Sequence, residues 1–215
     1  MAVTGAPPGD ARQALRIGVF GGAFDPPHDA HRALAEAALA QLALAELRIF
    51  PTGQAWHKQH ALSAAEHRLA MTQLAFAGLA NTVIDVREIR RAGPSYTLDT
   101  LRELQQERPA AQLVLIMGAD QATALPNWHG WRDILSIAIV SVAYRATAAG
   151  FADRFDPRIL PDLPATARFE PLELPAMDVS ATEIRTRVAH GEDISSLVPA
   201  AVARYIDRHH LYHSA

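Results

Sequence analysis

Two short stretches hold the residue types that handle phosphate. Between Gly18 and His31 the chain runs through Gly18 and Gly21-Gly22 into Phe24-Asp25-Pro26-Pro27-His28-Asp29-Ala30-His31. Glycines just after a strand let backbone N–H groups approach a ligand, and the start of the following helix offers N–H groups and a partial positive charge to an anion. His28 and His31, three residues apart, project from nearly the same side of such a helix start, so both imidazoles can reach one phosphate. Chance proximity of two histidines, or packing of one beneath the loop, is the plainer alternative. A zinc-protease pair is disfavoured, because no Glu follows His28 or precedes His31. The residue two after Gly18 is Phe20, not the glycine of a dinucleotide fingerprint, and the P-loop lysine is missing, which argues against a redox Rossmann enzyme and a P-loop ATPase. Near the other end, Ser180, Thr182 and Arg185 join hydroxyls in a first helical turn to a guanidinium one turn on, a second phosphate-competent arrangement. Its plainer reading is an ordinary capping box with a solvent-facing arginine.

These groups need a scaffold, and the pattern of apolar runs supplies one. Ile17–Phe20, Leu47–Pro51, Thr82–Ile89, Gln112–Met117, Ile137–Tyr144 and Arg168–Leu174 read as strands. Helices are expected over Ala30–Leu44, from a Ser63/Glu66 capping box to Leu79, over Thr97–Gln106, from a Ser180/Glu183 capping box to a C-cap at Gly191, and from Pro199 to His209. Apolar strands without alternation, separated by helices, predict an α/β fold: a doubly wound, mostly parallel, Rossmann-like sheet with a small C-terminal helical part. Residues 1–16 read as a flexible arm and 17–215 as a single domain, with Gly150–Pro175 a proline-rich excursion. Among 215 residues there is no cysteine, which removes disulfides, thiolate metal sites and thiol nucleophiles. A net charge of -3 provides no global field for nucleic acid or membranes, so neither is expected as a partner. No secretory signal or membrane span is legible, and a cytoplasmic chain is expected. The oligomeric state is open, a homo-oligomer included.

The two phosphate-competent stretches, taken with the segments between them, make the chain similar to a known group. It resembles the nucleotidylyltransferase superfamily, marked by Gly-Gly-x-Phe-Asp-Pro, His-x-Gly-His and Ile-Ser-x-Thr-x-Ile-Arg, which read here Gly21 to His31 and Val179 to Arg185. Within it the likeness is to the bacterial nicotinate-nucleotide adenylyltransferases. That likeness is carried by Pro51-Thr52-Gly53-Gln54 with His57-Lys58, Pro94 to Leu101, Gly118-Ala119-Asp120 with Trp128 and Trp131, Tyr144-Arg145, and the tail Leu197 to Tyr212. Ala30 departs from the pattern, standing where the motif has glycine.

The resemblance implies in-line adenylyl transfer from ATP to nicotinate mononucleotide without a covalent enzyme intermediate. It places Gly21, Gly22, Phe24, His28, His31, Ser180, Thr182 and Arg185 at ATP, with His28 and His31 catalytic, and Lys58, Thr97, Asp120, Trp128 and Arg145 at the acceptor. The implied cofactor is Mg²⁺ held mainly by ATP phosphates, with no protein metal site. A sister enzyme acting on nicotinamide mononucleotide or phosphopantetheine shares both phosphate motifs, and a non-catalytic nucleotide-binding regulator is the more distant alternative. Without the resemblance, Trp128 and Trp131 read equally as a core stripe, Asp120 as a helix cap, and Lys58 and Arg145 as surface charges.

Overall fold

A computed structural model describes residues 15–53, 62–145 and 155–213. In chain order the elements are β1 (Arg16–Gly22), α1 (Asp29–Gln41), β2 (Glu46–Pro51), α2 (Ala65–Ala75), β3 (Thr82–Ile84), α3 (Arg87–Arg90), α4 (Thr97–Glu107), β4 (Gln112–Gly118), α5 (Ala119–Ala124), α6 (Trp131–Ile137), β5 (Ala138–Arg145), β6 (Phe169–Leu174), α7 (Ala181–Ala189) and α8 (Ala200–Arg208). The strands form one parallel sheet in the order β3-β2-β1-β4-β5-β6. Its chain direction of growth reverses between β1 and β4, and in open α/β sheets ligands bind in the crevice at the carboxyl ends of such a pair.

Both faces of the sheet are covered, which is why β4 is apolar from Leu113 to Met117, all of them buried. Phe20, Ile49, Ile116 and Leu172 pack beneath α1, α2, α7 and α8, while Ile17, Phe50, Leu115 and Val140 pack against α4, α5 and α6. The stripe Leu98, Leu101 and Leu104 lays α4 on the second face. Among the described residues no helix is long and apolar enough to cross a membrane.

The expected α/β fold is the observed one, with four corrections. Arg16, assigned to the arm, opens β1. The first helix stops at Gln41 instead of Leu44, because Leu42 closes the last turn on the Ala38 carbonyl and Ala43 turns to φ 49°. The strand expected over Thr82–Ile89 ends at Ile84: Asp85 accepts the Arg87 N–H and guanidinium, as well as that of Arg48, and this turn starts α3. The Ser63 capping box is also absent. Helix α2 begins after Ala64 and ends at Ala75, short of Leu79, and Ser63 instead donates its backbone N–H to Asp25. The box at Ser180 does form, its hydroxyl accepting the Glu183 N–H at 3.1 Å.

Candidate active site

At the carboxyl ends of β1 and β4 lies a cavity of ≈ 1020 Å³, whose walls include Gly21, Gly22, His28, His31, Thr97 and Trp128. The phosphate-competent helix start and the middle segments of the chain therefore share one space.

His28 is the N-cap of α1, and its backbone N–H donates to Nδ1 of His31 at 3.2 Å. An acceptor Nδ1 puts the proton of a neutral imidazole on Nε2, so His31 presents a defined tautomer. The two rings stack at 3.8 Å between centroids, and Phe24 meets the His31 ring edge-on at 5.1 Å. Phe24 itself does not reach the cavity; it is buried beside Phe20 and Phe76 and acts on the site through His31. Its ring occupies the space above Gly22, where a Cβ would sit 2.9 Å from it, which explains why that position has no side chain. Burial lowers the His28 imidazole to about 4, and its Nδ1 has no hydrogen-bond partner among the described residues.

That shift has a sign. A histidine that protonates near 6.5 when unfolded and near 4 when folded contributes stability that is complete above pH 6.5 and is lost as pH falls toward 4. Denaturation of the ligand-free protein at several pH values should show this slope, and His28→Gln should flatten it; an unchanged slope in the variant would assign the acid sensitivity to other groups.

Within α1 the Asp29 N–H is taken by the Leu197 carbonyl, and those of His31 and Arg32 by the His28 carbonyl. The Ala30 N–H is the remaining first-turn donor, and Ala30 lines the cavity. Because Ala30 has ordinary right-handed helical geometry, its methyl requires no special backbone. Ala30→Gly is expected to change activity by no more than a few-fold and to cost at most ~1 kcal/mol of stability. A large gain in activity would show instead that the methyl crowds the phosphate.

Beneath this helix start lies a network that residue spacing does not reveal. Asp25, 3% exposed, accepts the Tyr212 hydroxyl at 2.6 Å and the Ser63 N–H at 3.0 Å, one on each carboxylate oxygen. Its carbonyl accepts Arg185 Nη1 at 2.8 Å, and Nη2 of the same guanidinium lies 3.3 Å from the Thr182 hydroxyl. Of the second phosphate-competent group, then, Ser180 caps its own helix and Arg185 is anchored on the loop that carries the first; Ser180, Thr182 and Arg185 are not among the walls of the cavity. Arg68, 2% exposed, donates to the carbonyls of Ser63, Ala23, Thr52 and Gly53, tying the loops after β1 and β2 to the start of α2. Burial pulls its guanidinium down, and Asp25 opposes that shift. The signal available for Arg68 was its place in the stripe Arg68, Met71, Thr72, Ala75, where every other residue suits a buried face.

At the opposite wall, Tyr96 is the N-cap of α4 and Thr97 its first residue, and both line the cavity, so the start of this helix borders it. Trp128 is half-buried against the second core and also lines the cavity, whereas Trp131 is buried in that core. Asp120 stands in the first turn of α5, exposed at the cavity rim. Of Arg145 only the backbone, the last residue of β5, is described, and Lys58 lies outside the described residues. Glu88 was missed in sequence because a strand was expected there. It is buried at this wall, accepting the Thr100 hydroxyl at 2.8 Å, and burial raises its carboxyl. Gly53 passes so close that a Cβ would lie 2.1 Å from the Glu88 carbonyl oxygen, so this crossing admits only glycine.

The sheet order, with an imidazole pair at its switch point, defines a doubly wound α/β protein, and the family model described as cytidylyltransferase-like matches residues 19–187. A protein of Albidiferax ferrireducens named "Probable nicotinate-nucleotide adenylyltransferase" is 56% identical over 93% of this chain and 99% of its own length. One of the same name from Methylibium petroleiphilum is 45% identical over 94% and 95%. The chain belongs to this family, the nicotinate-nucleotide adenylyltransferases. At 18% identity the fold alone is shared with the Plasmodium falciparum nicotinic acid mononucleotide adenylyltransferase complexed with NaAD, with a TM-score of 0.74 over 92% of this chain and 97% of that one.

Proposed function

We propose that this chain transfers the adenylyl group of ATP to nicotinate mononucleotide, forming nicotinate adenine dinucleotide and pyrophosphate in NAD biosynthesis. The imidazole pair carries the proposal: stacked rings, with the His31 proton set on Nε2, at the switch-point helix start of a chain with the relatives just described. An oxygen of the mononucleotide phosphate attacks the α-phosphorus, the bond from that phosphorus to the bridging oxygen breaks, and pyrophosphate leaves. No side chain is modified. Positioned donors are what such a step needs, since charge shifts among phosphate oxygens in the transition state.

In this scheme His31 donates from Nε2 to an oxygen of the α-phosphate, and His28 and the backbone at Gly21, Gly22 and Ala30 seat the phosphate chain. Ser180, Thr182 and Arg185 take the β- and γ-phosphates, with Arg185 held from behind by the Asp25 carbonyl. Mg²⁺, bound with ATP, supplies neutralising charge. Both carboxylate oxygens of Asp25 are already engaged by Tyr212 and Ser63, so phosphate oxygens rather than that carboxylate suit the ion. On the acceptor side Trp128 stacks on the nicotinate ring and the α4 first turn at Thr97 meets its carboxylate. Asp120 contacts the nucleotide, and Lys58 and Arg145 lie near its phosphate.

Pyrophosphate release tests the assignment. It is expected with ATP and nicotinate mononucleotide together and not with ATP alone. Binding of ATP without release in either case would make the chain a nucleotide-binding regulator.

A further inference from the structure

Beyond α8 the described chain folds back toward the site, and one residue there is held in a costly conformation. His210, at φ 48°, is the usual left-handed residue past a helix end, its N–H on the Asp207 carbonyl, whereas Tyr212, at φ 66°, is left-handed beyond that cap, a conformation that side-chain-bearing residues avoid. The Leu211 N–H reaches back to the Ile206 carbonyl, and Leu211 and Tyr212 pack against the core under α1, α2 and α8. A strained residue persists only where its surroundings over-determine it, and such residues collect at functional sites. For Tyr212 the surroundings are specific. Its hydroxyl donates to Asp25 at 2.6 Å and lies 4.0 Å from the Met71 sulfur.

We propose that Tyr212 is a positioning residue for the ATP half of the site. Its phenol fixes the Asp25 carboxylate, and Asp25 in turn holds Arg185 by its carbonyl and leads three residues later into His28, the cap of α1. One C-terminal side chain thereby sets two phosphate-binding groups that lie 157 residues apart in sequence, His28 and Arg185. Burial, reinforced by the Asp25 charge, raises the phenol, so it stays protonated and donates throughout the working pH range. The inference rests on the adenylyl-transfer reading for its consequence in turnover, but not for its consequence in ATP binding.

Tyr212→Phe removes the hydroxyl and keeps the ring. Equilibrium binding of ATP to the full-length protein is expected to weaken roughly tenfold, the usual scale for one charged hydrogen bond. In steady-state kinetics KM for ATP should rise while KM for the acceptor holds. Asp25→Asn in place of, and together with, Tyr212→Phe supplies the second arm, in which the double variant should bind ATP no more weakly than the worse single one. A merely structural tyrosine would lower thermal stability and leave the ATP affinity of the folded fraction unchanged; that outcome, or additive effects in the double variant, would overturn the proposal. Failure of the wild type to release pyrophosphate would overturn the reaction instead, and the binding comparison would still judge Tyr212.

Discussion

His31→Ala is expected to lower turnover about 10²- to 10³-fold, the usual loss for one transition-state donor, with ATP binding changed much less. The size follows from how little this imidazole has to rearrange. Its Nδ1 is occupied by the His28 N–H, its ring is stacked on His28 and backed by Phe24, and its proton is therefore already on Nε2 before substrate arrives. A donor held in this way costs no reorganisation when charge develops on the α-phosphate. The variant also loses the acceptor that caps the helix, an effect on the order of 1 kcal/mol in stability. His31→Gln separates the two contributions, since glutamine at this position can restore the cap. Single-turnover rates near wild type in His31→Ala would remove this residue from the mechanism.

Arg68→Met should have the largest effect on stability, about 3–5 kcal/mol, although Arg68 touches no substrate in the proposed scheme. One guanidinium satisfies four carbonyls from three segments, and a methionine of similar length leaves all four without their donor and removes one of the cations beside Asp25. At this chain length the loss corresponds to a fall in Tm on the order of 10 °C. Arg68→Lys, which retains charge without the planar fork, should fall between. A shift below 1 kcal/mol for Arg68→Met in urea denaturation would mean that the loops after β1 and β2 hold their shape unaided.

The contrast between these two residues shows what was legible in the sequence. Helix starts advertise themselves through residue type, so the glycines, His28, His31 and the Ser180 box could be read directly, and the uninterrupted apolar run of β4 announced a sheet covered on both faces. Asp25, Ser63, Arg68 and Tyr212 could not be read, because their partners are backbone groups or residues far along the chain. Ser63 is the instructive case: its spacing to Glu66 satisfies a capping box, yet its N–H is drawn to Asp25 and the helix begins later. Local propensity lost to a tertiary hydrogen bond. Helices α3, α5 and α6 escaped notice for another reason, being four to seven residues long and without a side-chain cap.

Nicotinate and nicotinamide mononucleotides differ by one group, a carboxylate against a neutral amide. In the proposed scheme stacking on Trp128 holds either ring, so the choice falls to the N–H and hydroxyl donors at the start of α4. Each charged hydrogen bond is worth roughly 1.5–3 kcal/mol, and donors built for a carboxylate are left poorly paired by an amide. The most direct measurement is kcat/KM for the two mononucleotides side by side with saturating ATP. A preference of ~10² or more for the acid is expected from two such contacts, and equal efficiency with both would contradict the acid-specific assignment.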